Sequence, residues 1–400
     1  MRHLITALIT ITALEGLPAH GVSAAPLAKA MEVATFTLPD KEIGGRVTLA
    51  AGPDGQTLLA WMDSGHTAQI ALLGAGSAPS LRVVTSLSNR RLNDVVARPD
   101  GFAVLSGSAS EKSEPGGFLT SFDWSGRQLF DARVGGPWTR QAKAVGDQQY
   151  WGGSLAWSGQ AYAAYFNVLQ LYGDGAVHQG DGLALLDGQG RPIKGGWRWG
   201  VSHSFGVRSA FDGKRFVTAT VGDANPRGLV IDRHAETGAR EPRIFFPATG
   251  VRGDNTVPVV MGELVAANQG AAVAFIDDDD RGFWGLHDVG LVVVRPDGTH
   301  SEKLWITETD EVNERQARLA VYGENLFVTY AIDDKPHPTH FVGVVVDWQG
   351  HIIDGPEALD MNRDTDRLVT YPNGDVGWLA GDNAGRKGPR TLRLYRLHVQ

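Results

Sequence analysis

Short turns ending in glycine recur along this chain about fifty residues apart, and this repeat constrains the fold more than any other feature. An apolar stretch precedes and follows each turn, as Thr57 to Trp61 follows the first, so each copy predicts a β-hairpin. A hairpin repeated at this period indicates a solenoid or a propeller. The seven copies are Pro53-Asp54-Gly55, Pro99-Asp100-Gly101, Trp157-Ser158-Gly159, Phe211-Asp212-Gly213, Asn268-Gln269-Gly270, Val321-Tyr322-Gly323 and Pro372-Asn373-Gly374.

A second family of glycine turns lies between these hairpins, and each of its members follows an apolar segment. Every repeat therefore contains a strand, a short turn, a strand, a variable loop, a strand, a short turn and a strand. Four antiparallel strands per unit of this length predict an all-β, seven-bladed β-propeller. The second-family turns are Ser125-Gly126, Gly188-Gln189-Gly190, Thr237-Gly238, Pro296-Asp297-Gly298 and Gln349-Gly350.

The seventh predicted blade lacks one strand. Residues 32–38 precede the first blade and alternate as a strand does, so we expect them to complete the last blade, close the ring and remove both sheet edges. A two-layered sandwich of the same hairpins is the alternative; seven near-equal units and a matching N-terminal strand favour the propeller. The predicted blades span residues 43–87, 88–136, 150–200, 201–250, 256–309, 310–360 and 361–400.

The first 25 residues have the pattern of an export signal. Arg2 and His3 are followed by an apolar core from Leu4 to Leu14 and by the small-residue cleavage site Val22-Ser23-Ala24. The core is too short to span a bilayer. We therefore expect residues 1–25 to be removed and residues 26–400 to form a single propeller domain without a membrane span, periplasmic or secreted.

The overall charge and composition limit the classes of partner and cofactor that we expect for this chain. The net charge is −8 and no long basic run is present, so nucleic acid is not an expected partner. The absence of cysteine rules out disulfides and thiolate metal sites. The chain has no serine nucleophile elbow, phosphate-binding glycine loop or His-Glu-x-x-His motif, and we expect a monomer without an organic cofactor.

The long and varied loops all fall on one face of the predicted disc. This loop face carries the loops between second and third strands and the links between blades, whereas the short glycine turns lie on the opposite face. Sites are usually built on loops held by a rigid scaffold. Unrepeated His, Arg, Asp, Tyr and Trp residues are densest on the loop face of blades 3 and 4, between Tyr150 and Gly228.

The predicted catalytic residues are His203, Arg208, Tyr165 and His178. Histidine and tyrosine transfer protons, and the planar guanidinium of arginine binds carboxylate, sulfate or phosphate groups. Alternate residues of a strand share a side, which places Ser204 and Arg208 together. A structural pairing of Arg208 with Asp223, or with the matching Arg318, is the alternative, as are structural histidines. The predicted substrate-binding residues are Trp151, Trp199, Arg227 and Asn225.

A divalent metal, calcium or zinc, is the expected inorganic cofactor. Its predicted ligands are His178, Asp181, His203 and Asp223, since a metal in this chain must use nitrogen or oxygen donors. Oxygen donors at alternate positions in Asp360 to Asp366 also suggest calcium. The run Asp277 to Asp280 suggests it less well, because Arg281 follows, and a solvated acidic loop is the alternative there.

A seven-bladed disc with His, Tyr and Arg on one face resembles the propeller-type polysaccharide lyases, including ulvan lyases. The resemblance covers the mature chain and implies β-elimination on an anionic polysaccharide, with arginine neutralising the carboxylate. Two other hypotheses remain. The chain is a non-catalytic propeller that binds a glycan or a protein, or it is a periplasmic metal-binding protein.

Overall fold

The computed structural model describes residues 31–39, 47–108, 116–135, 148–223, 227–248, 259–278, 287–309, 312–333, 339–361, 367–381 and 390–399. These residues form seven four-stranded antiparallel sheets and one 3-10 turn, Pro53–Gly55. In this described part of the chain, no helix has the length and apolar character needed to cross a membrane. The predicted export signal, residues 1–25, lies outside the described residues and stays a prediction.

The N-terminal strand is β1 (Met31–Leu38), and the next three sheets follow in chain order. Blade 1 contains β2 (Thr48–Ala51), β3 (Thr57–Met62), β4 (Thr67–Leu73) and β5 (Leu81–Ser88). Blade 2 contains β6 (Arg90–Arg98), β7 (Gly101–Ser108), β8 (Gly117–Asp123) and β9 (Gln128–Arg133). Blade 3 contains β10 (Gln148–Trp157), β11 (Ala161–Leu171), β12 (Val177–Asp187) and β13 (Pro192–Trp197).

The remaining four sheets complete the ring. Blade 4 contains β14 (Ser204–Phe211), β15 (Phe216–Gly222), β16 (Gly228–His234) and β17 (Ile244–Pro247). Blade 5 contains β18 (Val260–Ala267), β19 (Gly270–Asp278), β20 (His287–Val294) and β21 (Leu304–Trp305). Blade 6 contains β22 (Glu314–Tyr322), β23 (Asn325–Ile332), β24 (His340–Val346) and β25 (Ile352–Leu359). Blade 7 contains β26 (Val369–Thr370), β27 (Val376–Gly381) and β28 (Arg390–Leu397), to which β1 adds the fourth strand.

The ring closes through β1, which confirms the sequence prediction. This strand pairs with β28 along its whole length, from Met31 opposite Leu397 to Leu38 opposite Arg390. Its apolar residues alternate with polar ones, and the inward Phe36 and Leu38 are buried with Trp61 of blade 1. The strand thus satisfies the edge of blade 7 and supplies apolar surface to the contact between the first and last blades.

The hydrophobic core is divided among the blade interfaces. In the described residues, seven clusters of buried side chains each join two neighbouring blades, so every blade is fixed by its two neighbours. The cluster between blades 3 and 4 includes Tyr165, Leu183, Val207 and Phe216. Because the sheets are held this tightly, the loops at their ends start from rigid positions.

The short turns need glycine at particular positions. Gly213 connects β14 to β15 with a φ of 89°, which L-residues rarely adopt. Gly238, between β16 and β17, has a φ of 87° and also lies against blade 3: a Cβ there would come within 1.8 Å of the Lys194 carbonyl oxygen. The glycine repeat therefore marks tight turns and close contacts between blades.

A β-bulge near the loop face interrupts the first strand of each of blades 2 to 6. The bulges lie at Leu92/Asp94, Tyr150/Gly152, Phe205/Arg208, Met261/Leu264 and Arg315/Arg318. Ser204 of β14 pairs with Gly222 of β15, and Arg208 pairs with Ala219. The chain thus advances four residues along β14 but only three along β15. Ser204 and Arg208 therefore point to opposite sides, and the prediction that they share a side is wrong because simple alternation ignores the extra residue.

Candidate functional site

Three connections meet on the loop face where blade 3 adjoins blade 4. They are the β11–β12 turn Tyr172–Ala176, the link after Trp197 at the end of β13, and the residues that follow β15. The turn closes through the Tyr172 N–H, which donates to the Ala176 carbonyl at 3.0 Å. The link enters β14 immediately after His203. The three connections contribute Asp174, His203 and Asp223, and the start of β12 contributes His178. We call this row of four side chains the histidine chain.

The histidine chain uses every ring nitrogen of its two histidines. His203 Nδ1 lies 3.0 Å from Asp223 Oδ1, and His203 Nε2 lies 3.4 Å from His178 Nδ1. His178 Nε2 in turn lies 3.4 Å from Asp174 Oδ2. The Asp223 contact is an ion-pair distance without well-aligned hydrogen-bond geometry. His178 and His203 side chains are 33% and 31% exposed, so a ligand can reach both rings.

The chemistry of this row follows from its residue types. A carboxylate oxygen lies behind each ring, and the two inner nitrogens, His178 Nδ1 and His203 Nε2, face each other. Imidazole nitrogens can both accept and donate protons. Two exposed imidazoles side by side, each with a carboxylate behind it, are an arrangement suited to acid–base chemistry.

The outer carboxylates are held in place by their surroundings. Asp223 is 7% exposed at the end of β15, and its N–H donates to the His203 carbonyl at 3.2 Å. Asp174 Oδ1 accepts the Ala176 N–H at 2.9 Å. That bond first, and the His178 ring second, hold the pKa of Asp174 below its usual value. Asp174 is therefore suited to stay ionised beside His178.

His203 has a strained backbone. Its φ is 56°, in the left-handed region that costs a residue with a side chain about 1–2 kcal/mol. Its N–H donates to the Gln179 carbonyl at 2.5 Å. The following carbonyl, of Ser204, accepts from the Gln179 side-chain amide and from Asn167 Nδ2, the latter at 3.3 Å. These bonds fix the backbone on both sides and direct the imidazole toward His178, and strain of this kind is typical of functional positions.

An aromatic wall borders the histidine chain. Tyr172 meets the His178 ring edge to face at 4.9 Å and the Trp199 ring at 5.3 Å. Trp199 lies flat on Gly180, where a Cβ would come within 2.8 Å of the indole. Trp199 and Tyr172 are both half-buried, which leaves ring surface open to solvent. Such surfaces stack on sugar rings and other flat ligands.

Arg208 is paired within the propeller. Its Nε donates to Glu263 Oε1 at 3.0 Å, across the interface between blades 4 and 5, and its Nη1 donates to the Val207 carbonyl at 3.0 Å. The sequence alternative paired Arg208 with Asp223 or with Arg318. The structure corrects it: the partner of Arg208 is Glu263, and Asp223 lies against His203. The charge of Arg208 is balanced before any ligand binds.

Tyr165 and Asp181 lie away from the histidine chain, in a buried cluster between blades 3 and 4. Tyr165 is 1% exposed, and burial together with Asp181 and Asp232 raises its pKa well above the usual value. The Asp181 carboxylate accepts Trp197 Nε1 at 2.6 Å and the Val201 N–H at 2.9 Å. Neither side chain is directed at the two histidines. Among the described residues, no three His, Asp or Glu side chains are grouped closely enough to hold a metal ion.

The other predicted residues are placed as follows. Arg227 is half-buried just before β16, and its carbonyl accepts the Ala248 N–H at 3.0 Å. Asn225, the Trp151 side chain, residues 362–366 of the suggested calcium loop, and Asp279 and Asp280 lie outside the described residues. Asp277, at the start of that acidic run, is fully buried and accepts from Lys303 Nζ.

Sequence reasoning missed three residues: Asp174, Tyr172 and Glu263. Asp174 had a detectable signal, since acidic residues four positions before a basic one recur at turns of this chain, as at Asp187 and Arg191. Tyr172 had a weaker one, as an aromatic residue beside a Gly-Asp-Gly turn. Glu263 had none, because its partner Arg208 is 55 residues away.

Comparisons with known proteins give a fold and no family. No protein-family profile and no curated protein sequence matches this chain. Similar solved structures include a post-proline cleaving enzyme from Rickettsia typhi, with 11% identity, a TM-score of 0.49 and coverage of 89% of this chain and 52% of that one. The β-propeller domain of the Trilobed protease from Pyrococcus furiosus has 10% identity, a TM-score of 0.49 and coverage of 88% and 94%.

A sialidase-type propeller is also among the similar structures. The Trypanosoma rangeli sialidase has 9% identity and a TM-score of 0.41, over 76% of this chain and 54% of that one. Similarities at this level carry no argument about activity. The chain is a seven-bladed β-propeller on the evidence of its own sheets and their closure by β1.

Proposed function

We propose that this chain is an exported enzyme that performs acid–base chemistry on an anionic polysaccharide at the histidine chain, by β-elimination. The observation that carries the proposal is the row of contacts from Asp223 through His203 and His178 to Asp174. None of these four side chains belongs to the apolar cluster between blades 3 and 4.

The proposed step assigns one role to each ring. When the substrate binds, the contact between the two inner nitrogens opens. Neutral His203, with Asp223 behind Nδ1, then takes at Nε2 the proton from the carbon next to the uronate carboxylate. The electron pair of that C–H bond forms the new carbon–carbon double bond, and the bond to the glycosidic oxygen breaks. The leaving oxygen takes its proton from His178. An acid and a base side by side serve both proton transfers without a cofactor.

The remaining loop-face residues support binding of the polymer. Trp199 and Tyr172 offer ring surface beside His178 for stacking on a sugar. Arg227 belongs to the same β15–β16 connection as Asp223 and is the cation proposed to face the substrate carboxylate. Arg208 is less suited to that role because Glu263 already neutralises it.

The test is turnover of a panel of uronate-containing polymers, followed by the ultraviolet absorbance of the unsaturated product. His203→Gln and His178→Gln should each lower the turnover number by roughly 10²–10⁴-fold, the usual contribution of a positioned acid or base. His351→Gln is the matched control, because that histidine pairs with Asp347 in the β24–β25 turn on the opposite face. Absence of unsaturated product across the panel, or full activity of His203→Gln, would contradict the proposal.

A second candidate function is metal binding, and one distance favours it. Two ligands of a tetrahedral zinc ion, each at about 2.0–2.1 Å, are separated by about 3.4 Å, which is the distance from His178 Nδ1 to His203 Nε2. Carboxylates behind both rings are also typical of zinc-binding histidines. Nitrogen donors favour zinc over calcium, so the metal proposal keeps His178 and His203 as ligands and places Asp223 and Asp174 behind them.

Metal analysis separates the two candidates. The protein purified without chelators should contain no stoichiometric zinc if the inner nitrogens share a proton, and one zinc per chain if they share a metal. In the second case, His178→Gln should lose the metal and His351→Gln should retain it. If neither metal nor turnover is found, while glycan binding persists and depends on Trp199, the recognition hypothesis gains the support.

A further inference from the structure

The link that carries Trp199 and His203 is tied to blade 3 by Asp181, in addition to the bond from the His203 N–H to the Gln179 carbonyl. Asp181 of β12 is fully buried and accepts three bonds from the stretch between Trp197 and Val201. Its carboxylate accepts Trp197 Nε1 at 2.6 Å and the Val201 N–H at 2.9 Å, and its carbonyl accepts the Gly200 N–H at 2.9 Å. We call this set of contacts the clasp.

The clasp leaves no free space around the link. A Cβ on Gly200 would come within 2.1 Å of Asp181 Oδ1 and 2.3 Å of Trp197 Nε1, so the backbone passes directly over the carboxylate. The Trp197 ring packs edge to face against Tyr165 at 6.0 Å, and the Tyr165 hydroxyl also bonds Asp181. The backbone at Val201, two residues before His203, is therefore held in place by the hydrogen-bonded Asp181 carboxylate.

Part of this arrangement, the bond from a link N–H to a buried aspartate, recurs in blade 5. Trp305 of β21 pairs with Gly290, just as Trp197 of β13 pairs with Leu183. In both blades an aspartate lies two residues before the paired residue: Asp288 in blade 5 and Asp181 in blade 3. The Asp288 carboxylate accepts the Thr309 N–H at 2.9 Å. Thr309 lies four residues after Trp305, just as Val201 lies four residues after Trp197. Blade 5 thus offers a comparison in which an aspartate bonds a link outside the histidine chain.

We propose that Asp181 is a positioning residue that sets the His203 imidazole against His178 and Asp223 by holding the link from Trp197 to Val201. The inference rests on the proposed function of the histidine chain, although its test needs no substrate. Without the Asp181 carboxylate, the link keeps its ends in β13 and β14 and the Gly200 bond, but loses the bonds from Trp197 Nε1 and the Val201 N–H. The strained conformation of His203 then has fewer bonds to hold it.

The titration of Asp181 gives the test a measurable pH dependence. Burial raises the pKa of Asp181 to about 6, against the opposing effects of the Trp197 and Val201 hydrogen bonds. The titratable groups that face it are Tyr165 of β11, Asp232 of β16 and Arg243, which follows β16. A protonated Asp181 accepts hydrogen bonds more weakly, so the link should loosen below about pH 6 and the His203 resonances should record that change.

The experiment compares Asp181→Asn with Asp288→Asn in the full chain. Val201 amide exchange in Asp181→Asn should be faster by roughly tenfold to a hundredfold, the factor expected for one charge-assisted hydrogen bond. The His203 and His178 ring resonances, assigned with the two His→Gln variants, should shift and lose their inflection near the Asp181 pKa of about 6. Asp288→Asn should lower the melting temperature comparably and leave both rings unchanged.

Two outcomes would overturn the inference: unchanged His203 resonances in Asp181→Asn, or equal changes in both variants. If Asp181→Asn does not fold, Trp197→Phe removes only the indole donor and should shift the His203 resonances in the same direction. Where turnover is measurable, it should fall roughly 10–100-fold in Asp181→Asn, as for other residues that orient a functional histidine. Ring shifts without any turnover in the wild-type protein would support the clasp and contradict the proposed enzyme.

Discussion

Replacing His234 by leucine should stabilise this protein and make its free energy of unfolding rise on acidification. His234 ends β16, is fully buried, and has no hydrogen-bond partner at either ring nitrogen. Its ring packs on Trp197 with centroids 4.9 Å apart. Burial lowers the pKa of His234 to about 4, because the charged ring has no water and no paired acceptor to stabilise it.

Two contributions give the magnitude. At neutral pH, leucine removes two unsatisfied buried polar atoms, worth about 1–3 kcal/mol, and loses the ring contact with Trp197, worth about 0.5–1.5 kcal/mol. In acid, a pKa lowered from 6.5 to about 4 corresponds to roughly 3 kcal/mol of stability. That stability is present above pH 6.5, the unfolded value, and is lost as pH falls toward about 4, the folded value.

Asp181 acts in the opposite direction over the same range. Its pKa is raised from 3.8 to about 6, so the folded state binds its proton more tightly than the unfolded state does. This contribution, again roughly 3 kcal/mol, is complete below pH 3.8 and is lost as pH rises through about 6. The two groups nearly cancel in the wild-type protein. In His234→Leu only Asp181 remains, so the free energy of unfolding should rise on acidification.

Urea denaturation from about pH 7 to about pH 4.5 measures both effects. His351→Leu is the control, since that side chain is 76% exposed and its removal should leave the pH dependence unchanged. A lower free energy of unfolding for His234→Leu at neutral pH would refute the argument from unsatisfied nitrogens. A profile parallel to the wild-type profile would refute the argument from linkage.

The remaining predictions concern the closure of the ring and its turns. Leu38→Ala in β1 should lower the free energy of unfolding by about 2–5 kcal/mol, measured by urea denaturation, because Leu38 is fully buried between blades 7 and 1; a loss no larger than that of an exposed residue would mean that β1 does not close the ring. Gly159→Ala should cost only the strain of its φ of 100°, about 1–2 kcal/mol, since nothing lies within 4 Å of the added Cβ. Gly238→Ala should cost much more or prevent folding, because its Cβ meets the blade 3 backbone; equal losses of melting temperature in the two glycine variants would contradict this.

The architecture was predictable because local sequence patterns determine it. Glycine turns and apolar alternation identify strands one at a time, and their recurrence sets the number of blades. The closing strand was predictable as Glu32 to Leu38, against an observed Met31–Leu38, since its alternation matches an otherwise incomplete last blade. Each of these signals lies within a few residues of the structure it determines.

The candidate site was predictable in location and only partly in composition. The sequence indicates the loop face of blades 3 and 4 and includes His178, His203 and Asp223. It misassigns the sides of β14, because a bulge at Gly206 adds a residue that alternation does not detect. It also cannot pair Arg208 with Glu263, or separate Asp181 from the histidines, since these depend on the paths of links between blades.

Comparison among blades is what separates structural from functional polar residues in this fold. Asp181 has the charge and the burial of a functional carboxylate, yet Asp288 repeats its position in the sheet and its bond to a link amide. The recurrence assigns the carboxylate a structural task first, and its proposed effect on the site follows from what this particular link carries. His203 has the opposite profile: a strained backbone, a partly exposed ring and contacts to two other connections. Neither His203 nor its contacts belong to the apolar cluster between blades 3 and 4, so the cost of this strained position calls for a functional explanation.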